Sequence, residues 1–207
     1  MKVVVVANPK GGVGKSTLST NLAGYFARQG ESVMLGDADR QHSAREWLAL
    51  RPPGLPTIRT WDLQPDAPAR PPKGTQRVIL DTPAGLHGKH LQRLLRDANK
   101  ILVPLQPSLF DILATKRFLA TLADEKAVRK GELEVAVIGM RVDPRTRSAH
   151  ELERFLDSFE LPVLGCLRDT QLYVQLAARG LTLFDVNPHQ VEKDLEQWTP
   201  ILAWAGR

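Results

Sequence analysis

Hydrophobic positions along this chain fall into two alternating patterns, short solid apolar runs and longer stretches with helical spacing. Val3–Val6 is a run of four β-branched residues, the pattern of a strand buried on both faces of a parallel sheet. Leu18, Leu22 and Phe26 then recur every four residues, which predicts a helix that ends at Gly30. Ser32–Leu35 predicts a second strand leading into Asp37-Ala38-Asp39, and Ser43–Leu50 a short helix. Between Arg51 and Gln76 prolines stand at 52, 53, 56, 65, 68, 71 and 72, which predicts mostly loop with one edge strand near Thr57–Trp61.

The alternation resumes at Val78–Leu80. Helices are expected at His90–Ala98, Asp111–Leu122 and Ala149–Phe159, and strands at Ile101–Leu105, Val135–Gly139 and Val163–Leu164. Two closing helices are expected near Gln171–Ala178 and Val191–Ala203. Strand–helix alternation of this kind predicts an α/β fold, a doubly wound and mainly parallel sheet flanked by helices. At 207 residues, 43% of them hydrophobic, the expectation is a single domain spanning 1–207.

Composition narrows the chemistry. The single cysteine, Cys166, excludes an intramolecular disulfide and a cluster of thiolate ligands within one chain, and its apolar neighbours suit a small buried hydrophobe. His42, His87 and His90 have no acid or cysteine at metal-ligand spacing and read as surface or switch-loop residues. The opening residues are too short an apolar run for a signal peptide, and no later stretch reaches membrane-spanning length, so a cytoplasmic location is expected.

Charge is unevenly spread. Residues 86–130 are net +5 through Lys89, Arg93, Arg96, Lys100, Lys116, Arg117, Lys126, Arg129 and Lys130, whereas residues 131–207 are net −4. Such a bias is either ordinary solvated surface or a face for a polyanion such as DNA.

The sharpest signal is Lys10-Gly11-Gly12-Val13-Gly14-Lys15-Ser16-Thr17, a glycine-rich turn between a strand and a helix. Glycines there let successive backbone N–H groups converge on phosphate oxygens, and the helix N-terminus adds its positive end. Lys15 would reach the β- and γ-phosphates of a nucleoside triphosphate, and the Ser16 hydroxyl would coordinate Mg²⁺. The general phosphate-loop pattern has glycine where this chain has Pro9; Lys10 instead places a second lysine at the loop's front edge. Asp37, Asp39 and Asp81 stand at strand ends beside the loop, either as ligand-directed acids or as caps of the following helices. By physical role Asp81 would hold a Mg²⁺-bound water and Asp39 would orient the attacking water, with Asp39 also counted among the metal-site acids.

This loop resembles the deviant Walker A motif of the ParA/MinD family of ATPases. Asp37-Ala38-Asp39-Arg40-Gln41 resembles the family's switch I, with Arg40 where proline is common, and Val78-Ile79-Leu80-Asp81-Thr82-Pro83-Ala84-Gly85 its Walker B and switch II. Val103–Pro107, Leu167–Gln171 and Gly180–Phe184 resemble later family segments, so the likeness covers nearly the whole chain. Its length resembles the small ParA type without an N-terminal DNA-binding extension. The resemblance implies ATP and ADP as ligands, an ATP-dependent homodimer in which Lys10 crosses to the partner's phosphates, and hydrolysis stimulated by a ParB-like or other adaptor protein. It also implies nonspecific DNA as a partner, with Arg168, Arg145 and Arg147 as candidate contacts. Gly139-Met140-Arg141 resembles a segment often carrying asparagine before the arginine, which makes Met140 and Arg141 candidate base contacts.

Two other readings compete with a DNA-bound positioning ATPase. A MinD-like membrane helix could use Leu195, Trp198, Ile201, Leu202 and Trp204, although Glu192, Asp194 and Glu196 oppose anionic lipid and Pro200 is expected to interrupt the helix. An ATP-dependent small-molecule enzyme on the same scaffold is the other; a cluster-bearing reductase would need paired cysteines, and a ligase an added substrate pocket.

Overall fold

Strand β1, Lys2–Val6, occupies the middle of a seven-stranded sheet and sends alternate valines to opposite faces. Val4 and Val6 join one hydrophobic cluster, and Val3 and Val5 join another on the far side. The same split divides Ile79 from Val78 and Leu80 in β4, Arg77–Asp81. Apolar residues at Val3–Val6 and Val78–Leu80 are therefore needed, because both faces are covered. The computed structural model describes residues 1–39, 43–61, 71–158 and 160–207. Arg40 and Gln41 of the switch I likeness, His42, Pro65, Pro68 and Phe159 lie outside the described residues.

The remaining strands are β2 (Val33–Asp37), β3 (Ile58–Arg59), β5 (Lys100–Leu105), β6 (Glu134–Val142) and β7 (Val163–Arg168). Their order is β3-β2-β4-β1-β5-β6-β7, and every pairing is parallel. The chain thus runs outward from β1 in both directions, so the loops at the carboxyl ends of β1, β4 and β5 surround a topological switch point. The edge strand expected among the prolines is β3, only two residues long.

One face of the sheet carries α1 (Lys15–Arg28), α2 (Ser43–Leu50), α7 (Leu172–Ala177) and α8 (Glu192–Gly206). The other carries α3 (Gly88–Leu95), α4 (Leu109–Asp124) and α6 (Arg147–Leu156), with α5 (Lys126–Arg129) a one-turn addition that sequence periodicity did not foreshadow. Helix α1 stops at Arg28, and Gly30 follows in a left-handed conformation (φ 81°), as the spacing predicts.

Two expectations are corrected. Pro200 does not interrupt the closing helix, which runs unbroken from Glu192 to Gly206. The carbonyl that proline leaves without its intrahelical partner belongs to Glu196, and both residues are exposed, so water can serve it. Trp198 and Ile201 on either side are fully buried, as is Trp204 nearly so, and they hold the helix through the defect. That same burial spends the apolar face the membrane reading required, with Leu195 and Leu202 packed against the cluster. Among the described residues no helix is long and apolar enough to cross a membrane.

Lys100 is likewise no part of a basic surface. It is buried, its ammonium bonded to Glu134 at 2.9 Å and set 4.7 Å from the Trp204 ring centre. Arg77 is its counterpart, buried between Glu31, the Ala205 carbonyl and the face of Phe26. These two cations tie α8 to the sheet. Cys166 in β7 is half-buried beside Gly139, and burial pushes its thiol up, in keeping with an inert apolar residue.

Candidate functional site

The loop from Ala7 to Gly14 is built from the end of β1. Asn8 is fully buried, and its amide donates to the Pro104 carbonyl and the Thr115 hydroxyl. Its side-chain oxygen accepts from the Lys10 N–H at 2.8 Å, so one buried amide fixes where the loop's front edge begins. Gly14 precedes α1 in a left-handed conformation (φ 93°), with the Met140 side chain packed where a Cβ would sit. Glycine is required there by backbone angle, and a Cβ would also displace the tip of Met140. Helix α1 has no side-chain cap and no acid in its first turn. Its N–H groups therefore face the loop without an internal anion, which is the arrangement a phosphate needs.

Lys15 reaches back across the loop, and its ammonium donates to the Lys10 carbonyl at 2.7 Å. Burial lowers its pKa, while the nearby carboxylates of Asp81 and Asp39 act in the opposite direction. Both acids singled out from sequence are thus within electrostatic reach of the loop lysine. Asp81 is 1% exposed, and Ser19 donates to its Oδ1 at 3.2 Å. Its Oδ2 is buried without a hydrogen-bond partner. Burial above all, with the charge of Asp37, pushes its pKa up to about 7 against the pull of Ser16, Ser19 and Lys15.

A buried carboxylate oxygen without a hydrogen-bond partner, beside a hydroxyl at a helix N-terminus, offers the hard oxygen donors that a small divalent cation takes. The donor set therefore fits Mg²⁺, with Ser16 and Asp81 to hold it or its waters. Asp39 is held by its own N–H bonding to Asp37 Oδ1 at 3.0 Å. Asp37 is engaged elsewhere, because its Oδ2 accepts from the N–H groups of Ala44 and Arg45 at the start of α2. Of the three strand-end acids, then, Asp37 caps α2, and Asp39 and Asp81 lie within electrostatic reach of Lys15.

The neighbouring switch segment touches the loop directly. The Gly85 N–H donates to the Pro9 carbonyl at 2.8 Å, and Gln106, after β5, donates to the Gly12 carbonyl at 2.9 Å. Loop, Walker B segment and the end of β5 thus form one hydrogen-bonded rim.

Beside the loop opens a cavity of about 250 Å³ lined by Val13, Gly14, Thr17, Met140, Leu167 and Tyr173, among others. Arg141 stands on its rim with φ 52°, the one non-glycine residue with positive φ among the described residues. The β6–β7 register is irregular between Gly139 and Val142, which re-aims Met140 and Arg141 toward the cavity. Met140, Arg141 and Leu167 share this cavity with Tyr173 and Val174 of α7, which no local sequence pattern singles out.

Arg168 lies on the cavity wall with 42% of its side chain exposed, and its guanidinium makes two 2.8 Å bonds to Asp194, which is 1% exposed, an ion pair that closes β7 onto α8. Arg145 folds onto Asp143, whose carboxyl it holds down at about 2, and Arg147 stands exposed at the start of α6. Lys89 of α3, Arg96 just after it, Lys116 and Arg117 of α4, and Lys126, Arg129 and Lys130 around α5 are all exposed on the layer of α3, α4 and α6.

Known proteins fit this geometry. Residues 4–183 match the CobQ/CobB/MinD/ParA nucleotide binding domain. The chain is 31% identical to maintenance of carboxysome distribution protein A of Gloeobacter kilaueensis, covering 93% of this chain and 90% of that one. It is 29% identical to the chromosome-partitioning ATPase Soj of Thermus thermophilus, covering 72% of this chain and 73% of the relative. Among solved structures, a plasmid partition protein of Borrelia burgdorferi bound to AMPPNP superposes with a TM-score of 0.75 at 16% identity, over 98% and 99% of the two chains. The MinD cell division protein of Aquifex aeolicus gives 0.74 at 19% identity, over 100% and 98%. The two structures share the fold.

Proposed function

The chain belongs to the ParA/MinD branch of the CobQ/CobB/MinD/ParA nucleotide-binding family, and from that premise we propose that it is an ATPase that positions a cargo on DNA. Residues 1–207 act as one ATPase domain on this reading. ATP binds to the Lys10–Thr17 loop with its base in the cavity walled by Met140, beside Arg141. Two such chains close on two nucleotides, and the dimer holds DNA without sequence preference. A ParB-like or other adaptor protein stimulates hydrolysis and release. The cytoplasmic, nucleoid-bound dimer then distributes a plasmid, a chromosome region or a protein assembly; carboxysome distribution is the role named for one relative.

The observation that carries this reading is one loop presenting two lysines with two carboxylates beside the second. Lys15 meets the β- and γ-phosphates once it exchanges the Lys10 carbonyl for phosphate oxygen. Ser16 and Asp81 hold Mg²⁺, which compensates phosphate charge when bound. Asp39 accepts a hydrogen bond from the attacking water and orients it. Phosphoryl transfer needs this positioning and charge compensation more than covalent help. The test is phosphate release measured with and without DNA and with candidate partners. Turnover that rises severalfold with both together supports the reading, and turnover indifferent to both removes the positioning role.

Lys10→Ala should bind nucleotide with near-normal affinity but stay monomeric with ATP, because the charge acts across the interface. Light scattering with ATP in a hydrolysis-deficient Asp39→Ala background checks this. A normal ATP dimer would reduce Lys10 to a solvated lysine at the loop's edge.

DNA binding should need ATP, ignore sequence and weaken steeply with salt. The motive is the exposed cation layer on α3, α4 and α5, joined by Arg147. Each phosphate contact adds about −0.9 to the slope of log affinity against log salt, and a dimer doubles the contacts on one rigid body. Gel shifts with two unrelated duplexes at several salt concentrations read it out. Changing Lys116 and Arg117 together to Glu should weaken both duplexes alike while leaving the ATP dimer intact. Binding that is equal without ATP, or flat with salt, would end the DNA reading.

A further inference from the structure

Helix α1 places two hydroxyls against the buried acid of the Walker B strand, and only one of them has a role in the reading above. Ser16 and Ser19 are three residues apart, so they share one helix face, and that face looks onto Asp81 at the end of β4. Ser19 is fully buried and donates to Asp81 Oδ1 at 3.2 Å. A buried serine inside a helix has an easier partner in the carbonyl one turn back. Its neighbour Thr20 takes that partner, donating to the Ser16 carbonyl at 2.8 Å. Ser19 instead turns its hydroxyl outward onto the carboxylate. The result is an Asp81 side chain tethered through Oδ1, with Oδ2 buried and without a partner.

We propose that Ser19 is a positioning residue for the Mg²⁺ site: it holds Asp81 through Oδ1 so that Oδ2 stays aimed at the metal or its water. The inference rests on the nucleotide and Mg²⁺ reading of the loop. Ser16 would turn its oxygen to Mg²⁺, and Ser19 is the hydroxyl of α1 whose bond to Oδ1 keeps the carboxylate in place. The terminal torsion of an aspartate is broad and weakly restrained on its own, so a carboxylate without this tether would turn away from the metal. Geometry within about half an ångström is what such a site requires of its supporting residues.

The test uses the full chain and a fluorescent ADP analogue titrated at fixed Mg²⁺, then Mg²⁺ titrated at fixed nucleotide. Ser19→Ala leaves Asp81 Oδ1 without its donor, so the apo protein should melt a few degrees lower, while the Mg²⁺-free nucleotide affinity should stay close to wild type. The Mg²⁺ concentration for half-maximal tightening should rise about tenfold, the scale of a hydrogen bond lost from a charged group. Ser19→Thr, which keeps the hydroxyl, should restore a midpoint within about twofold of wild type. An unchanged Mg²⁺ midpoint in Ser19→Ala would overturn the proposal, as would equal losses in the Ala and Thr variants, which trace the effect to packing. Failure of the wild-type chain to bind the nucleotide at all is a separate result that removes the loop reading itself.

Discussion

Lys15→Ala should lose nucleotide affinity by about 100-fold or more while folding normally. The lysine sits in the loop with its ammonium bonded to the Lys10 carbonyl, inside the reach of Asp81 and Asp39. A triphosphate arriving there brings several negative charges into a pocket whose carboxylates already repel it. Charge-assisted hydrogen bonds from Lys15 offset that repulsion, and a loss of about 3 kcal/mol is about 100-fold in affinity. Burial already lowers the pKa of this amine, so phosphate binding also relieves a desolvated charge. Removing the lysine should cost the free protein little, since an alanine leaves only the Lys10 carbonyl to be hydrated. Fluorescence titration with ATP, alongside melting curves of the apo proteins, separates the two effects. Unchanged affinity would show that the glycine-rich loop holds something other than a triphosphate.

What the sequence revealed and what it hid divide along a physical line. Local patterns were legible: Val3–Val6 as a doubly covered strand, the α1 spacing ending at Gly30, and the glycine loop between them. Each is fixed by chain neighbours and by backbone rules that need no distant partner. Pairings between distant residues were not legible. Arg168 and Asp194 are 26 residues apart in sequence, and nothing local says that the arginine closes β7 onto α8. Glutamate at position 168 would set a second carboxylate against a buried one, so it would test that ion pair before it tested DNA. Lys100 was counted with the basic segment, yet its partners Glu134 and Trp204 come from β6 and α8. Pro200 was read by its usual effect inside a helix, which the flanking buried tryptophans outweigh. Asp37 carried the same motif signal as Asp39 and Asp81, and only the placement of α2 shows it to be a cap. Ser19 could have been found from sequence, because its three-residue spacing from Ser16 puts both hydroxyls on one face.

Asp81→Asn should make the nucleotide-free protein more stable than wild type above pH 7, with the advantage shrinking as pH falls toward 4. In the folded chain burial raises the Asp81 pKa from 3.8 to about 7. Between those values the folded state holds a proton that the unfolded chain has released, so wild-type stability declines as pH rises through that window. Above about 7 the carboxylate is ionised in both states and the full cost remains, at most about 4 kcal/mol from the size of the shift. Asparagine has the same shape and no charge, and its amide can trade hydrogen bonds with Ser16 and Ser19. Subtracting the two pH–stability curves cancels every other titrating group, because the variants differ only at this site. The difference should grow from near zero at pH 4 to its maximum near pH 8, read by denaturant unfolding without metal or nucleotide. Mg²⁺ with nucleotide should then reverse the order, since a cation pairs with the ionised carboxylate and has far less to gain from the amide. Parallel curves across the whole range would mean that Asp81 is ionised at no cost in the free protein. Asp81 Oδ2 would then have a partner in solution, and the case for a cation site at the end of β4 would fall with it.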